Sequence, residues 1–111
     1  MIEVKITFTK KLYRSGRENF IYKDISVKGH SSDGTLNSTK CCAGVTAITC
    51  GLVNLFDDTC SVEINKGYFH FHMNDYSSEI NYAVNALVYQ LDNIQMIYPQ
   101  FFKKFEFIEV N

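Results

Sequence analysis

Apolar and polar residues alternate at the start of the chain. The apolar positions are Ile2, Val4, Ile6 and Phe8. Strict alternation predicts a half-buried β-strand, because successive side chains of a strand point to opposite faces. Residues 19–29 alternate in the same way, and a polar turn at residues 10–17 separates the two stretches. Together they predict a β-hairpin.

Two later segments have helical spacing, with apolar residues that recur every three or four positions. The first runs from about Lys40 to Phe56. Its apolar face comprises Val45, Ile48, Thr49, Leu52, Val53 and Phe56. The second runs from Ser77 to Tyr98, where Ser77 can cap the helix and Pro99 follows it. Its apolar face comprises Ile80, Val84, Leu87, Leu91, Ile94 and Tyr98.

Three further short strands are predicted at residues 60–65, 67–73 and 103–110, the first two joined by a hairpin turn at Asn65-Lys66-Gly67. The order of elements is therefore ββαββαβ. This order favours an α+β fold, a two-layer sandwich in which two helices cover one face of a mostly antiparallel sheet. A length of 111 residues is typical of a single domain, here residues 1–111.

Composition and charge narrow the classes of function. The net charge is −1, which argues against direct binding of nucleic acid. No apolar run approaches the roughly 18 residues that a membrane helix needs, and the alternating N-terminus does not resemble a signal peptide. We therefore expect a soluble cytoplasmic protein without a membrane partner, whose four cysteines are reduced thiols.

The most reactive side chains lie at the two ends of one polar loop. His30 follows the second predicted strand, and Cys41 and Cys42 follow the loop. With Thr39 as the helix cap, both cysteines would lie in the first helical turn, where the backbone N–H groups have no partner inside the helix. An imidazole and a helix N-terminus both favour the thiolate, and free N–H groups can stabilise an oxyanion. A Cys/His dyad is thus one interpretation of the pattern, although spacing alone favours structural cysteines.

Two other interpretations fit the same residues. By helical phase both cysteines lean toward the core, where buried thiols are commonly inert, and periodicity does not choose between them. A metal site is the second alternative. Its donors would be His30, Cys41, Cys42, His70 and His72. Without a C-x-x-C pair a metal site is disfavoured, and we expect none. We expect His70 and His72 to point outward from a strand whose other face is apolar.

The segment around the loop resembles the ribosomal-processing cysteine proteases of the Prp family. In that family Gly-His is followed by eleven residues and then by Cys-Ala, as Gly29-His30 and Cys42-Ala43 are in this chain. Further matches follow in order along the chain. They are Gly44, Val45 and Thr46, then Gly51, Val53 and Asn54, then Gly67, Phe69 and His70, and finally Tyr98 and Pro99.

The resemblance implies a homodimeric α+β sandwich that hydrolyses peptide bonds without a cofactor. Cys42 would be the nucleophile and His30 the base. The substrate would be the N-terminal extension of large-subunit ribosomal protein twenty-seven, cleaved after aromatic residues so that the ribosome can assemble. The neighbouring residues would contact the peptide. They are Gly29, Ser31, Thr39, Cys41 and Ala43.

The chain also departs from the family pattern. Thr39 stands where the family often has an aspartate, and Asp33 is a weak substitute for it. Ser31 replaces the usual alanine, and Cys41 an apolar residue. Two rival functions therefore stay open, a non-catalytic module that binds the ribosomal protein and an unrelated α+β protein with buried thiols. A second apolar stripe on the long helix is the sequence feature that suits a dimer. It comprises Tyr82, Ala86, Tyr89 and Met96.

Overall fold

The computed structural model describes residues 1–12, 18–30, 33–51, 54 and 56–110. The elements follow the predicted ββαββαβ order. They are β1 (Ile2–Leu12), β2 (Glu18–Lys28), α1 (Leu36–Gly51), β3 (Cys60–Asn65), β4 (Tyr68–Met73), α2 (Ser78–Ile97), a short 3₁₀ turn (Pro99–Phe101) and β5 (Phe102–Glu109). The predicted strand boundaries agree with the observed ones to within a few residues. The exception is β1, which continues to Leu12, into the predicted turn.

The five strands form one mixed sheet in the order β3-β4-β2-β1-β5. Antiparallel pairing joins β3 to β4, β4 to β2 and β2 to β1. The remaining pair, β1 with β5, is parallel. A parallel neighbour needs a crossover connection, and α2 lies between β4 and β5 in the chain. The predicted α+β sandwich with a mostly antiparallel sheet is confirmed.

The core lies between the sheet and the two helices. Sheet residues that point into it alternate along each strand, as the sequence pattern predicted. They include Ile2, Val4, Ile6, Ile25, Val27, Phe69, Phe71 and Met73. The helix α2 contributes the stripe predicted for it, including Ile80, Val84, Leu87 and Leu91, and α1 contributes Val45 and Thr49. The helix α1 ends at Gly51 and not at Phe56 as predicted, and the predicted stripe residues Leu52 and Val53 lie outside the described residues. Within the described residues no helix is long and apolar enough to cross a membrane.

A β-bulge interrupts the regular alternation of β2. Thr7 of β1 pairs with Asp24, but its neighbour Phe8 pairs with Tyr22, so Lys23 is the extra residue of β2. Tyr22 and Ile25 are both buried as a result, although an unbroken alternation over residues 19–29 would place them on opposite faces. A bulge allows this change of phase because one residue is left out of the pairing.

The helix α1 begins one turn earlier than predicted. Thr35, not Thr39, is its N-cap, because the Thr35 Oγ1 accepts a hydrogen bond of 3.1 Å from the Ser38 N–H. The backbone N–H of Thr35 in turn donates to Asp33 Oδ1 over 2.9 Å. The Thr35 hydroxyl donates to the same carboxylate, and the hydroxyl bond and the N–H bond from Thr35 together lower the pKa of the Asp33 carboxyl below its ordinary value. Residues 36–39, of which three are polar, thus belong to the helix and not to the predicted loop.

The helix α2 agrees with its prediction. The Ser77 hydroxyl caps it by accepting from the Ile80 N–H. Asn81 joins α2 to β2, since its Oδ1 accepts from the Tyr22 N–H over 2.9 Å and its Nδ2 donates to the Phe20 carbonyl over 3.0 Å. The helix is therefore held to the sheet by buried polar contacts as well as by its apolar stripe.

Candidate active site

His30 and Cys42 line the same cavity, although eleven residues separate them in the chain. The cavity has a volume of about 280 Å³ and lies between α1, the end of β2 and the turn that joins β3 to β4. Its walls are largely apolar. Its lining residues are Ile2, Val27, Gly29, His30, Cys42, Val45, Thr46, Thr49, Cys50, Ile64, Asn65, Lys66, Gly67, Tyr68 and Phe69.

The end of β2 positions His30. The Gly29 N–H donates a hydrogen bond of 2.9 Å to the Gly67 carbonyl, which ties the residue before the histidine to the β3–β4 turn. The His30 imidazole then lies against Gly67, so close that a side chain at that position would overlap it. The backbone bond between Gly29 and Gly67, together with the lack of a side chain on Gly67, leaves the space that the imidazole occupies.

Gly29 makes a close backbone contact at the end of β2. A glycine beside the histidine can let another chain, such as a substrate, approach closely. Its backbone φ is +94°, and a Cβ at this position would collide with the Met1 carbonyl oxygen. The close approach is thus made by the beginning of the same chain. Gly29 still lines the cavity, so a bound peptide can contact its backbone.

The two adjacent cysteines of α1 lie in different environments. Cys41 is 0% exposed and belongs to the core, whereas Cys42 is half-buried and lines the cavity. Four further α1 residues line the cavity at helical spacing from Cys42. They are Val45, Thr46, Thr49 and Cys50. Periodicity left the choice of thiol open, and in the tertiary structure Cys42, not Cys41, lines the cavity that His30 also lines.

The expected role for the first helical turn is wrong. Because α1 begins at Leu36, Cys42 is its seventh residue. An α-helical N–H at that depth bonds to the carbonyl four residues earlier and has no free donor for an oxyanion. The dipole effect also falls off within the first turn. The helix N-terminus is therefore too far along α1 from Cys42 to activate its thiol.

The remaining predicted contact residues are not gathered at the cavity. Thr39 and Ala43 are exposed on α1 and do not line it, and Ser31 lies outside the described residues. The Thr39 hydroxyl donates to the Thr35 carbonyl over 3.2 Å. Asp33 is engaged with Thr35 at the start of α1. Both side chains are thus engaged with Thr35 at the start of α1.

The β3–β4 hairpin supplies cavity residues that the sequence reasoning missed. They are Ile64, Asn65, Lys66, Gly67, Tyr68 and Phe69. The turn itself was predicted from Asn65-Lys66-Gly67, but nothing in the local pattern showed that it faces His30. The signal available was the glycine, whose φ of +71° lets the chain turn where the imidazole lies.

His70 and His72 point to the open face of the sheet, as predicted. Phe69, Phe71 and Met73 are buried on the other face. Asp24 Oδ1 lies 3.2 Å from His70 Nε2 and 2.8 Å from His72 Nδ1. Among the described residues, no three His, Cys, Asp or Glu side chains are grouped so as to hold a metal ion.

Comparison with known proteins points to one family. The sequence model described as cysteine protease Prp matches residues 1–103. Two solved structures of the essential ribosomal processing protease Prp from S. aureus are similar, one with a substrate peptide and one with a covalently linked product peptide. The first has TM-score 0.69 and 19% identity, covering 96% of this chain and 99% of that one. The second has TM-score 0.68 and 20% identity, covering 99% and 100%.

A solved structure of a protein from Streptococcus mutans is also similar to this chain in fold. Its TM-score is 0.68 at 20% identity, and the match covers 97% of this chain and 96% of that one. No curated protein sequence matches this chain.

Proposed function

Because the chain belongs to the cysteine protease Prp family, we propose that it is an endopeptidase in which Cys42 is the nucleophile and His30 the general base. The observation that supports this assignment is that both side chains line one cavity, while Cys41 is fully buried in the core. Both residues also stand at the positions of the family motif. The chain is thus a cysteine protease whose dyad we assign to these two positions.

The proposed reaction has two stages. His30 takes the proton of the Cys42 thiol, and the thiolate sulfur attacks the scissile carbonyl carbon. The tetrahedral intermediate collapses as His30 returns the proton to the leaving amine, which departs with the C-terminal part of the substrate. A water molecule, deprotonated by the same imidazole, then attacks the thioester and releases the N-terminal part as a carboxylic acid. This sequence uses no cofactor.

The cavity walls support binding of an apolar side chain close to the reacting atoms. Val27, Val45 and Phe69 are buried residues that also form part of the lining. Binding a large apolar side chain there removes apolar surface from water, which favours association by roughly 25 cal/mol per Å². The family resemblance implies cleavage next to an aromatic residue, and these apolar walls can bind an aromatic side chain.

We propose a ribosomal substrate, namely the N-terminal extension of large-subunit ribosomal protein twenty-seven. The support is the family, and the similar S. aureus structures are those of a ribosomal processing protease with bound peptide. Removal of such an extension would permit ribosome assembly. Since that assembly takes place in the bacterial cytoplasm, we propose the same location for this enzyme.

We also propose that the enzyme is a homodimer that pairs through α2. The apolar stripe predicted on this helix is exposed, with Tyr82 at 79%, Tyr89 at 69% and Met96 at 70%. An exposed apolar stripe of this kind is typical of an interaction surface. Light scattering should give twice the mass of the 12.8 kDa chain, and a monomeric mass would contradict the proposal.

The central experiment is a cleavage assay on purified protein with a synthetic peptide that spans the junction of the ribosomal extension. Mass spectrometry identifies the products. Cys42→Ala should abolish cleavage, whereas Cys41→Ala should retain it and lose about 1 kcal/mol of stability by removing one buried group. Loss of cleavage in Cys41→Ala with activity retained in Cys42→Ala would refute the assignment.

A further inference from the structure

The two edges of the sheet are β3 and β5. An edge strand presents one row of backbone N–H and C=O groups that no neighbouring strand satisfies. Within the part of the chain that the structure describes, β3 pairs with β4 and β5 pairs with β1, and each has its other side free. Each edge is therefore a template on which another extended chain can pair.

The two edges differ in how they are protected. Proteins commonly guard free edges with charged side chains. Four charged residues stand on β5, namely Lys103, Lys104, Glu106 and Glu109. The β3 strand contains a single charged residue, Glu63. The β3 edge thus lacks the protection that β5 has, which suits a strand that takes a partner.

The β3 edge also leads into the cavity. Ile64 and Asn65, at the end of β3, line the same cavity as His30 and Cys42. Ile64 is 44% exposed, although it lies on the sheet face that carries the core. A strand added beside β3 would direct alternate side chains toward that face, because side chains of a strand alternate. One of them would then contact Ile64 at the mouth of the cavity.

We propose that the substrate peptide binds as a sixth strand on the free edge of β3 and so delivers its scissile bond to Cys42. This inference depends on the proposed protease function. Backbone hydrogen bonds supply affinity in this mode of recognition, and alternate side chains supply specificity. An apolar side chain packs against Ile64. A basic one is favoured on the open face, since Glu63 lies there opposite His70.

The first test modifies the peptide and leaves the protein intact. Each backbone amide of the substrate peptide is N-methylated in turn, and binding to Cys42→Ala is measured. Methylation should weaken binding about ten-fold at every second position beside β3 and have little effect between them, because only alternate amides face a neighbouring strand. Equal effects at successive positions would overturn the proposal.

The second test compares the two edges by amide hydrogen exchange of Cys42→Ala with and without the unmodified peptide. Peptide should slow exchange at alternate residues of β3 and leave β5 unchanged. Absence of peptide-dependent protection on β3 would refute strand addition. Protection of β3 that rises with protein concentration in the absence of peptide would also overturn the proposal, because a second copy would then occupy the edge.

A matched pair of variants separates this inference from the proposed function. Ile64 and Phe107 are similarly exposed, at 44% and 46%, but Phe107 lies on β5. Ile64→Lys should raise KM about ten-fold with kcat nearly unchanged, and Phe107→Lys should change neither. Unchanged KM in Ile64→Lys with normal Cys42-dependent cleavage would overturn strand addition alone. Failure of the unmodified protein to cleave the peptide would instead contradict the proposed function.

Discussion

The His30 imidazole lies directly against the Cα of Gly67, in space that any other residue would fill. An ideal Cβ built on Gly67 would overlap His30 Nε2 and lie 2.8 Å from its Cε1. The neighbouring bond from the Gly29 N–H to the Gly67 carbonyl holds the two segments at this separation. The β3–β4 turn is therefore a support for the proposed general base, and its glycine is part of the site.

We predict that Gly67→Ala reduces cleavage at least about ten-fold by displacing the imidazole. Gly67 has φ +71°, so alanine also adds backbone strain of about 1–2 kcal/mol. Gly34→Ala is the matched control, since Gly34 has φ +80° but open space at its Cβ position. Both variants should lose stability in urea, and kcat should fall in Gly67→Ala. Equal activity in the two variants would contradict the proposed support.

Thiol labelling is predicted to single out Cys42. Iodoacetamide at pH 7 should modify Cys42 about ten-fold faster than Cys60, because an imidazole favours the thiolate. Burial raises the pKa of the Cys60 thiol, so that residue serves as a slow internal reference. Cys50 is exposed and controls for access, and buried Cys41 should stay unmodified. His30→Gln should remove the advantage of Cys42, and its persistence would argue against the dyad.

Acid should destabilise the start of α1 by protonating Asp33. Hydrogen bonds from Thr35 lower the pKa of this carboxyl, so the stabilisation is present above its unfolded value of 3.8 and is lost as pH falls through the lower folded value. At pH 6 we expect Asp33→Ala to have a lower urea midpoint than the unmodified protein. The difference should narrow as the pH falls below the folded pKa.

A control for this prediction exists in the same chain. Asp57 accepts from the N–H and hydroxyl of Thr59 in the same way, before β3. Asp57→Ala should leave amide exchange at the start of α1 unchanged, while Asp33→Ala should accelerate it. Faster exchange there in both variants would show that the effect is not local to the α1 cap.

Alkaline titration of the protein should show a late step from Tyr22. Burial raises the pKa of Tyr22 to about 12, and nearby Tyr89 adds to the shift. The folded state then keeps a proton that the unfolded state has lost, so stability falls as pH rises from about 10 to about 12. Tyrosinate absorbance measures the step, and Tyr22→Phe should remove it. A late step retained in Tyr22→Phe would assign it to another residue.

Much of the fold could be predicted because it depends on local periodicity. The alternation around Ile6 and the helical recurrence around Leu87 each record which side of an element meets the core. Prediction failed where a specific contact between residues interrupts the periodicity of a strand or shifts the start of a helix. The bulge at Lys23 shifts the phase of β2, and the Asp33–Thr35 cap starts α1 a turn early. Neither leaves a periodic signal.

At the candidate site, the motif residues, a histidine and a thiol at family spacing, can be identified in the amino-acid sequence. The packing of the elements shows that Cys42 lines the cavity while Cys41 is buried, and that the His30 imidazole lies against the β3–β4 turn. The physical reason is that spacing along a chain constrains neighbours within one element. Which side chains meet across elements depends on how the sheet orders its strands and how α1 packs over them.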